Sequence, residues 1–149
     1  MNSIDGAILE VVGLIHSEVV KNGVVARVEL AESLPHIQGD RVQLQQVILN
    51  LMMNSIQAMS DLAGGERELH VTTELIASKG VCVAVRDSGP GFSAENLQRL
   101  FAPFYTTKPN GMGMGLSICR SIIEDHGGRL WAIPCEPQGA LFQFTIPAT

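Results

Sequence analysis

The chain has 149 residues, 46% hydrophobic and 17% charged, which fits one globular domain with its own core and excludes a disordered polymer. Its formal net charge of −5 excludes a nonspecific nucleic-acid binder, because such a protein needs a basic footprint to release counterions. No apolar run reaches the length of a membrane span, and Met1-Asn2-Ser3-Ile4-Asp5 has neither a basic leader nor a signal core, so a cytoplasmic domain without direct membrane contact is expected.

Ile4, Ala7, Ile8, Val11, Val12, Leu14, Ile15 and Val19 recur at helical spacing, and Lys21-Asn22-Gly23 ends that predicted helix. Val24 to Leu30 reads as a strand, followed by a connection marked by Pro35 and Gly39. A second helix starts at Asp40, with Gln43 three residues on in a capping-box-like arrangement, and runs to about Ser60. Residues 61–65 read as a turn. Leu69, Val71, Thr73 and Leu75 alternate with polar residues, as in a strand with one wet face on which His70 is solvated. A hairpin turn at Ser78-Lys79-Gly80 leads into Val81 to Arg86, apolar enough for a central strand.

Beyond Asp87-Ser88-Gly89-Pro90-Gly91, Ser93 caps a short predicted helix to Leu100, and residues 102–113 read as a mobile loop. Leu116, Cys119, Ile122 and Ile123 define a third long helix, stopped by Gly127-Gly128. Arg129 to Ile133 and Ala140 to Ile146 read as two strands around a Pro-Gly turn. The expected class is α+β, a mostly antiparallel sheet with helices on one face. The odd, scattered cysteines Cys82, Cys119 and Cys135 indicate neither disulfides nor zinc and read as small, buried or half-buried residues. His16, His36, His70 and His126 have no metal-ligand spacing.

Three features carry chemistry. Between Arg41 and Asp61 the second helix has no charged residue, yet Gln43, Gln46, Asn50, Asn54 and Gln57 share one face at spacings of three or four. A solvated face normally carries Lys and Glu, so neutral amides point to the wall of a polar cavity. An amphipathic helix with its amides in water fits the same spacing, and the helix alone leaves both readings open. The second feature is Asp87 in a glycine-rich turn at the end of a buried strand, an acceptor suited to a ligand edge that donates, such as an exocyclic amine. By itself this turn also reads as a plain connection. The third is Gly111-Met112-Gly113-Met114-Gly115-Leu116 leading into a helix, whose bare amides make an anion site. A P-loop is excluded by the absence of Gly-Lys-Ser/Thr, and a dinucleotide loop by Leu116 in place of glycine. Lys108 offers a movable positive charge, or is simply an exposed loop lysine.

Taken in order, these features resemble the catalytic domain of sensor histidine kinases, within the wider group that includes gyrase, the mismatch-repair MutL ATPase and the ninety-kilodalton heat-shock chaperone. The resemblance covers nearly the whole chain. Asn50 to Ala58 matches the N box, Asp87 to Gly91 the first G box, Phe101 to Lys108 the F box, and Gly111 to Leu116, continuing through Arg120, the second G box. It implies a Bergerat-type two-layer α/β sandwich, with a mixed sheet, three main helices on one face and a mobile ATP lid over residues 102–112. It further implies that Asn54 ligates a Mg2+ bridging the ATP phosphates and that Asp87 accepts from the adenine amine, with Gly89 and Gly91 shaping that pocket. Asn50, Thr107, Lys108, Gly111, Gly113, Gly115 and Leu116 complete the nucleotide-binding set, and Asn54 and Lys108 are the catalytic pair. Many members carry a basic residue where Gln57 stands, which puts a phosphate contact there in doubt.

The implied reaction transfers the γ-phosphoryl group of ATP to a histidine on a separate helical dimerisation domain of the same kinase, and indirectly serves a response regulator. Residues 1–149 then form one catalytic and ATP-binding domain without its phosphoacceptor and sensor domains. His16-Ser17-Glu18 lacks the context of an acceptor box, so the chain is expected to bind ATP without phosphorylating itself. Three alternatives stand beside this reading. The first is an ATP-driven clamp, for which Asn50 stands where a catalytic Glu is needed. The others are a serine kinase of the anti-sigma type and a regulatory module that holds nucleotide without catalysis.

Overall fold

The computed structural model describes residues 3–32, 34–37, 39–60, 66–76, 80–91, 115–135 and 138–148. Helix α1 spans Ile4–Lys21; the Ser3 hydroxyl caps it by accepting the Gly6 N–H, and Asp5 in the first turn and Lys21 in the last complement its dipole. Strand β1 (Val25–Glu29) follows across Gly23, whose φ of +64° fits the tight exit from the helix. Helix α2 (Arg41–Ser60) begins where the Asp40 carboxylate accepts the Gln43 N–H at 3.1 Å, half of the capping box read from the sequence; the other half is replaced, since the Asp40 N–H donates to His126 Nε2 at 3.1 Å. Strands β2 (Glu68–Ile76) and β3 (Gly80–Asp87), helix α3 (Gly115–Asp125) and strands β4 (Arg129–Pro134) and β5 (Ala140–Pro147) complete the order. Gly127, at φ +81°, turns the chain out of α3.

The strands form one mixed sheet in the order β1-β2-β3-β5-β4. Only the β1–β2 pairing is parallel among these strands, and the rest are antiparallel. Central β3 aligns Val85 with Val71 and Phe142, and Val83 with Thr73 and Phe144. Because side chains alternate across a strand, one face presents Leu69, Val71, Val81, Val83, Val85, Phe142, Phe144 and Ile146. These join Ile4, Ile8, Val11 and Ile15 of α1, Leu44, Ile48, Leu51, Met52 and Ile56 of α2, and Cys119 and Ile123 of α3 in a single core.

The opposite face is mixed, with His70, Thr72, Arg86 and Gln143 beside Cys82, Leu141, Trp131 and Ile133. There His70 faces Glu29 at 3.0 Å, and Trp131 donates its indole N–H to Gln143 at 3.0 Å. The wet face assigned to His70 is thus correct, with an acidic partner added. Helix α2 lies over the middle of the sheet with α1 on one flank and α3 on the other, which explains its lack of charge: most of its circumference meets protein. Its first residue, Arg41, reaches solvent and pairs with Glu10 of α1 at 2.8 Å. Among the described residues no helix is long and apolar enough to cross a membrane.

Candidate functional site

Asp87 closes β3 on the inward-facing side, in register with Leu69 and Ala140. The alternation that buries Val83 and Val85 therefore places a carboxylate where a core side chain would stand, and Asp87 is only 4% exposed. One of its oxygens, Oδ1, accepts the Gly89 backbone N–H at 2.9 Å. Burial of a carboxylate is costly without hydrogen bonds, and this internal bond offsets part of that cost.

The turn that follows is held on three sides. The Ser88 hydroxyl donates to the Glu66 carbonyl at 2.8 Å and accepts the Glu68 N–H at 2.9 Å, which fastens the turn to the start of β2. Gln138 donates its side-chain amide to the Ser88 carbonyl at 3.0 Å. A Cβ on Gly89 would stand 3.0 Å from Asp87 Oδ1 and 3.4 Å from both Ala58 and Met59 of α2, so the missing side chain lets the turn seat on that helix. Gly91 has φ +74°, and a Cβ there would collide with the Gly139 carbonyl oxygen. Its requirement for glycine therefore comes from close packing on the β4–β5 connection.

On α2, Asn50, Asn54 and Ala58 succeed one another at four-residue spacing and share a face. Since Ala58 abuts Gly89, the two asparagines extend from the Asp87 turn along the helix. Both are half-buried, whereas Gln43, Gln46 and Gln57 are exposed. The amide row thus divides: its middle is half covered by neighbouring elements, and its remaining members face water as the amphipathic reading had it. The neighbouring Gln45 turns to α1 instead, donating to Glu10 at 2.7 Å and to the Ala7 carbonyl at 3.4 Å. Asn50 donates its side-chain N–H to Cys119 Sγ of α3 at 3.6 Å. Cys119 is fully buried, and that burial pushes its thiol up to about 11.

Helix α3 spans Gly115–Asp125, and Gly115 and Leu116 lie at its N-terminal end. Leu116 itself packs partly against the core. Thr107, Lys108, Gly111 and Gly113 lie outside the described residues, as do the short helix Ser93 to Leu100 and the lid over 102–112. His16 is exposed on α1. Of the expected site residues, the fold gathers Asn50, Asn54, Asp87 and Gly89 along α2, sets Gly91 behind them on Gly139, and brings α3 in through Cys119. Sequence reasoning missed Ser88, Gln138, Gly139 and Cys119. The Pro-Gly turn before Ala140 was a local signal for Gly139; the partners of the others are too distant in sequence for spacing to indicate them.

A family model described as histidine kinase-, DNA gyrase B-, and HSP90-like ATPase matches residues 39–149, and the chain belongs to that family, as a histidine kinase catalytic domain. ATP-dependent kinase activity in two-component signalling is the function of this group. The chain is 43% identical over 129 residues to the sensor histidine kinase TmoS of Ectopseudomonas mendocina, covering 86% of this chain and 13% of TmoS. It is 49% identical over 112 residues to the sensor protein FixL of Bradyrhizobium diazoefficiens, covering 75% and 22%. The nucleotide-free catalytic domain of histidine kinase ThkA superposes with a TM-score of 0.87 at 37% identity, covering 99% of this chain and 94% of that one. Full-length ShkA in complex with AMPPNP gives a TM-score of 0.87 at 27% identity, covering 99% and 31%. The chain spans between 13% and 32% of the length of these and other curated sensor kinases it matches.

Proposed function

We propose that residues 1–149 form a catalytic and ATP-binding domain that takes up Mg-ATP and donates the γ-phosphoryl group to a histidine on a separate helical dimerisation domain of its parent kinase. A response regulator would then receive the group from that histidine. The observation that carries this reading is Asp87: a carboxylate 4% exposed, fixed by Gly89 at the inner edge of the sheet, beside a helix face that bears Asn54 and Asn50. A buried acceptor next to half-buried neutral amides suits a ligand with a donating purine edge and a polyphosphate.

Asp87 Oδ1 accepts from Gly89, and a carboxylate accepts several hydrogen bonds, which suits it to the adenine amine. Asn54 fits a magnesium site because its amide oxygen is a hard, uncharged donor on a half-buried helix face, and it would hold the ion there. When bound, Mg2+ neutralises charge on the phosphates. Asn50 would hold the phosphate side of the nucleotide, and the first-turn amides of α3 at Gly115 and Leu116 would orient phosphate oxygens. Thr107, Lys108, Gly111 and Gly113 would complete the phosphate contacts, with residues 102–112 as the lid and Lys108 as the movable cation. In the transfer step the acceptor imidazole nitrogen forms the new bond to the γ-phosphorus, the bond to the bridging oxygen breaks, and ADP departs. The chain's work is to align these groups and exclude water.

ThkA has been solved in complex with the response regulator protein TrrA, which supports a comparable partner for the parent of this chain. The test has two stages. Calorimetric titration with ATP, with and without Mg2+, should show magnesium-dependent binding. Adding a helical acceptor domain in trans should then yield acid-labile phosphate on that domain and none on His16. Absence of adenine-nucleotide binding at millimolar concentration would overturn the reading, and acid-stable phosphate would redirect it to a serine kinase.

A further inference from the structure

We propose that Cys119 is a positioning residue for the nucleotide site: its thiol fixes the orientation of the Asn50 amide. Asn50 Nδ2 donates to Cys119 Sγ at 3.6 Å, across 69 residues of sequence, from α2 to α3. Cys119 Sγ also lies 4.0 Å from the carbonyl oxygen of Val47, three residues before Asn50 on the same helix, which gives the S–H an acceptor of its own. With the S–H turned there, the sulfur offers a lone pair to Asn50. Only the NH2 end of that amide can use a lone pair; the flipped amide would set oxygen against sulfur, acceptor against acceptor.

The amide is planar, so holding Nδ2 also fixes Oδ1 and directs it away from α3. Asn50 lies one turn before Asn54 on the same face, so the fixed amide is part of the site proposed above, its oxygen an acceptor toward the metal side and its second N–H a donor for a phosphate oxygen. Burial keeps the thiol protonated at neutral pH, which preserves the S–H donor. Cys119 is four residues beyond Gly115, on the face of α3 that leads back to its first turn. One thiol thus links the helix start that would orient phosphate oxygens to the helix that carries both asparagines. This inference deepens the proposed function and rests on it.

The experiment uses the whole chain with Cys119→Ser, Cys119→Ala, the nearly isosteric Cys119→Val, Asn50→Ala and the double variant Cys119→Ala/Asn50→Ala. Calorimetry with Mg-ATP and, separately, with adenosine reads the site, while the side-chain amide signals of Asn50 in 1H–15N spectra of the nucleotide-free chain read the contact itself. Cys119→Ser keeps an acceptor and should bind Mg-ATP within about twofold of the parent, whereas Cys119→Ala and Cys119→Val should weaken Mg-ATP about three- to tenfold and leave adenosine unchanged. Asn50→Ala should cause a similar loss, with no further loss in the double variant. The Asn50 amide signals should shift in the Ala and Val variants and stay near the parent's in Ser. Equal weakening of Mg-ATP and adenosine, additive losses in the double variant, or Asn50 signals unmoved by Cys119→Val would each overturn the proposal. If the parent binds no adenine nucleotide, the proposed function fails on its own, while the amide signals still decide whether Cys119 holds Asn50.

Discussion

The carboxylate of Asp87 accepts the backbone N–H of Gly89, two residues along the chain, at 2.9 Å. The acid that would recognise a purine therefore also shapes the turn that carries it. Asp87→Asn separates the two roles. An asparagine Oδ1 can still accept from Gly89, so unfolding free energy should change by no more than about 1 kcal/mol. Its NH2 end, however, faces a donating purine edge with another donor. Adenine-nucleotide affinity measured by calorimetry should fall at least about tenfold, the loss expected when a buried polar contact becomes a donor–donor clash. A variant that melts like the parent and binds like it would remove Asp87 from the site.

Asn54→Ala addresses the metal. Asn54 is half-buried, and alanine is a better helix former, so the chain should stay folded. ATP affinity in the variant should become nearly independent of Mg2+ between zero and several millimolar, while adenosine affinity stays at the parent's level. A titration in which Mg2+ still strengthens ATP binding as it does in the parent counts against the assignment.

Gly91→Ala should act on stability before it acts on binding. The residue sits at φ +74°, and a methyl group there meets the Gly139 carbonyl oxygen. Backbone strain and displacement of the β4–β5 connection should together cost about 1–3 kcal/mol in denaturant unfolding. Trp131, the single tryptophan, lies on β4 next to this connection and provides the fluorescence signal. An unchanged midpoint would mean that the turn can shift away from Gly139.

The Cys119 thiol gives a pH signature of definite sign. Burial raises it from an ordinary value of 9.0 to about 11 in the folded chain. The folded state keeps a proton that the unfolded state releases, so this contribution is complete below pH 9 and is lost as pH climbs from 9 to 11. Cys82, raised chiefly by burial and also by nearby Glu74, acts in the same direction. Cys119→Ser should therefore lose about 1–3 kcal/mol less than the parent over that interval. Parallel pH–stability curves for the two proteins would contradict a buried, protonated thiol.

The sequence was legible where a local pattern has one physical meaning. The apolar spacing of α1, the Asp40 cap of α2 and the alternation along β2 each gave an element to within a residue or two. Asn54 and Asp87 stood out as candidates because motifs in fixed order constrain them together, and the fold sets Asn54 on the α2 face that runs from the Asp87 turn. Choice of partner was not legible. Nothing near β1 specifies that it pairs parallel to β2, and nothing in the row of amides distinguishes Asn50, which reaches α3, from Gln46, which reaches water. Gln45 looked like any polar residue on the helix until α1 supplied an acceptor. Such distinctions depend on which face of a helix another element covers, and that is settled only when the whole core assembles.

The sheet order β1-β2-β3-β5-β4 also governs when the site can come into being during synthesis. Strand β3 emerges from the ribosome well before β5, yet β5 covers its second edge, fills the space opposite Val83 with Phe144, and sets Ala140 beside Asp87. A nascent chain that has reached only α3 carries every glycine motif and both asparagines, but one flank of the strand bearing Asp87 is still bare. If Asp87 takes nucleotide as proposed, that competence arrives only with β5, the strand that completes this sheet, so a chain halted before it would not sequester ATP.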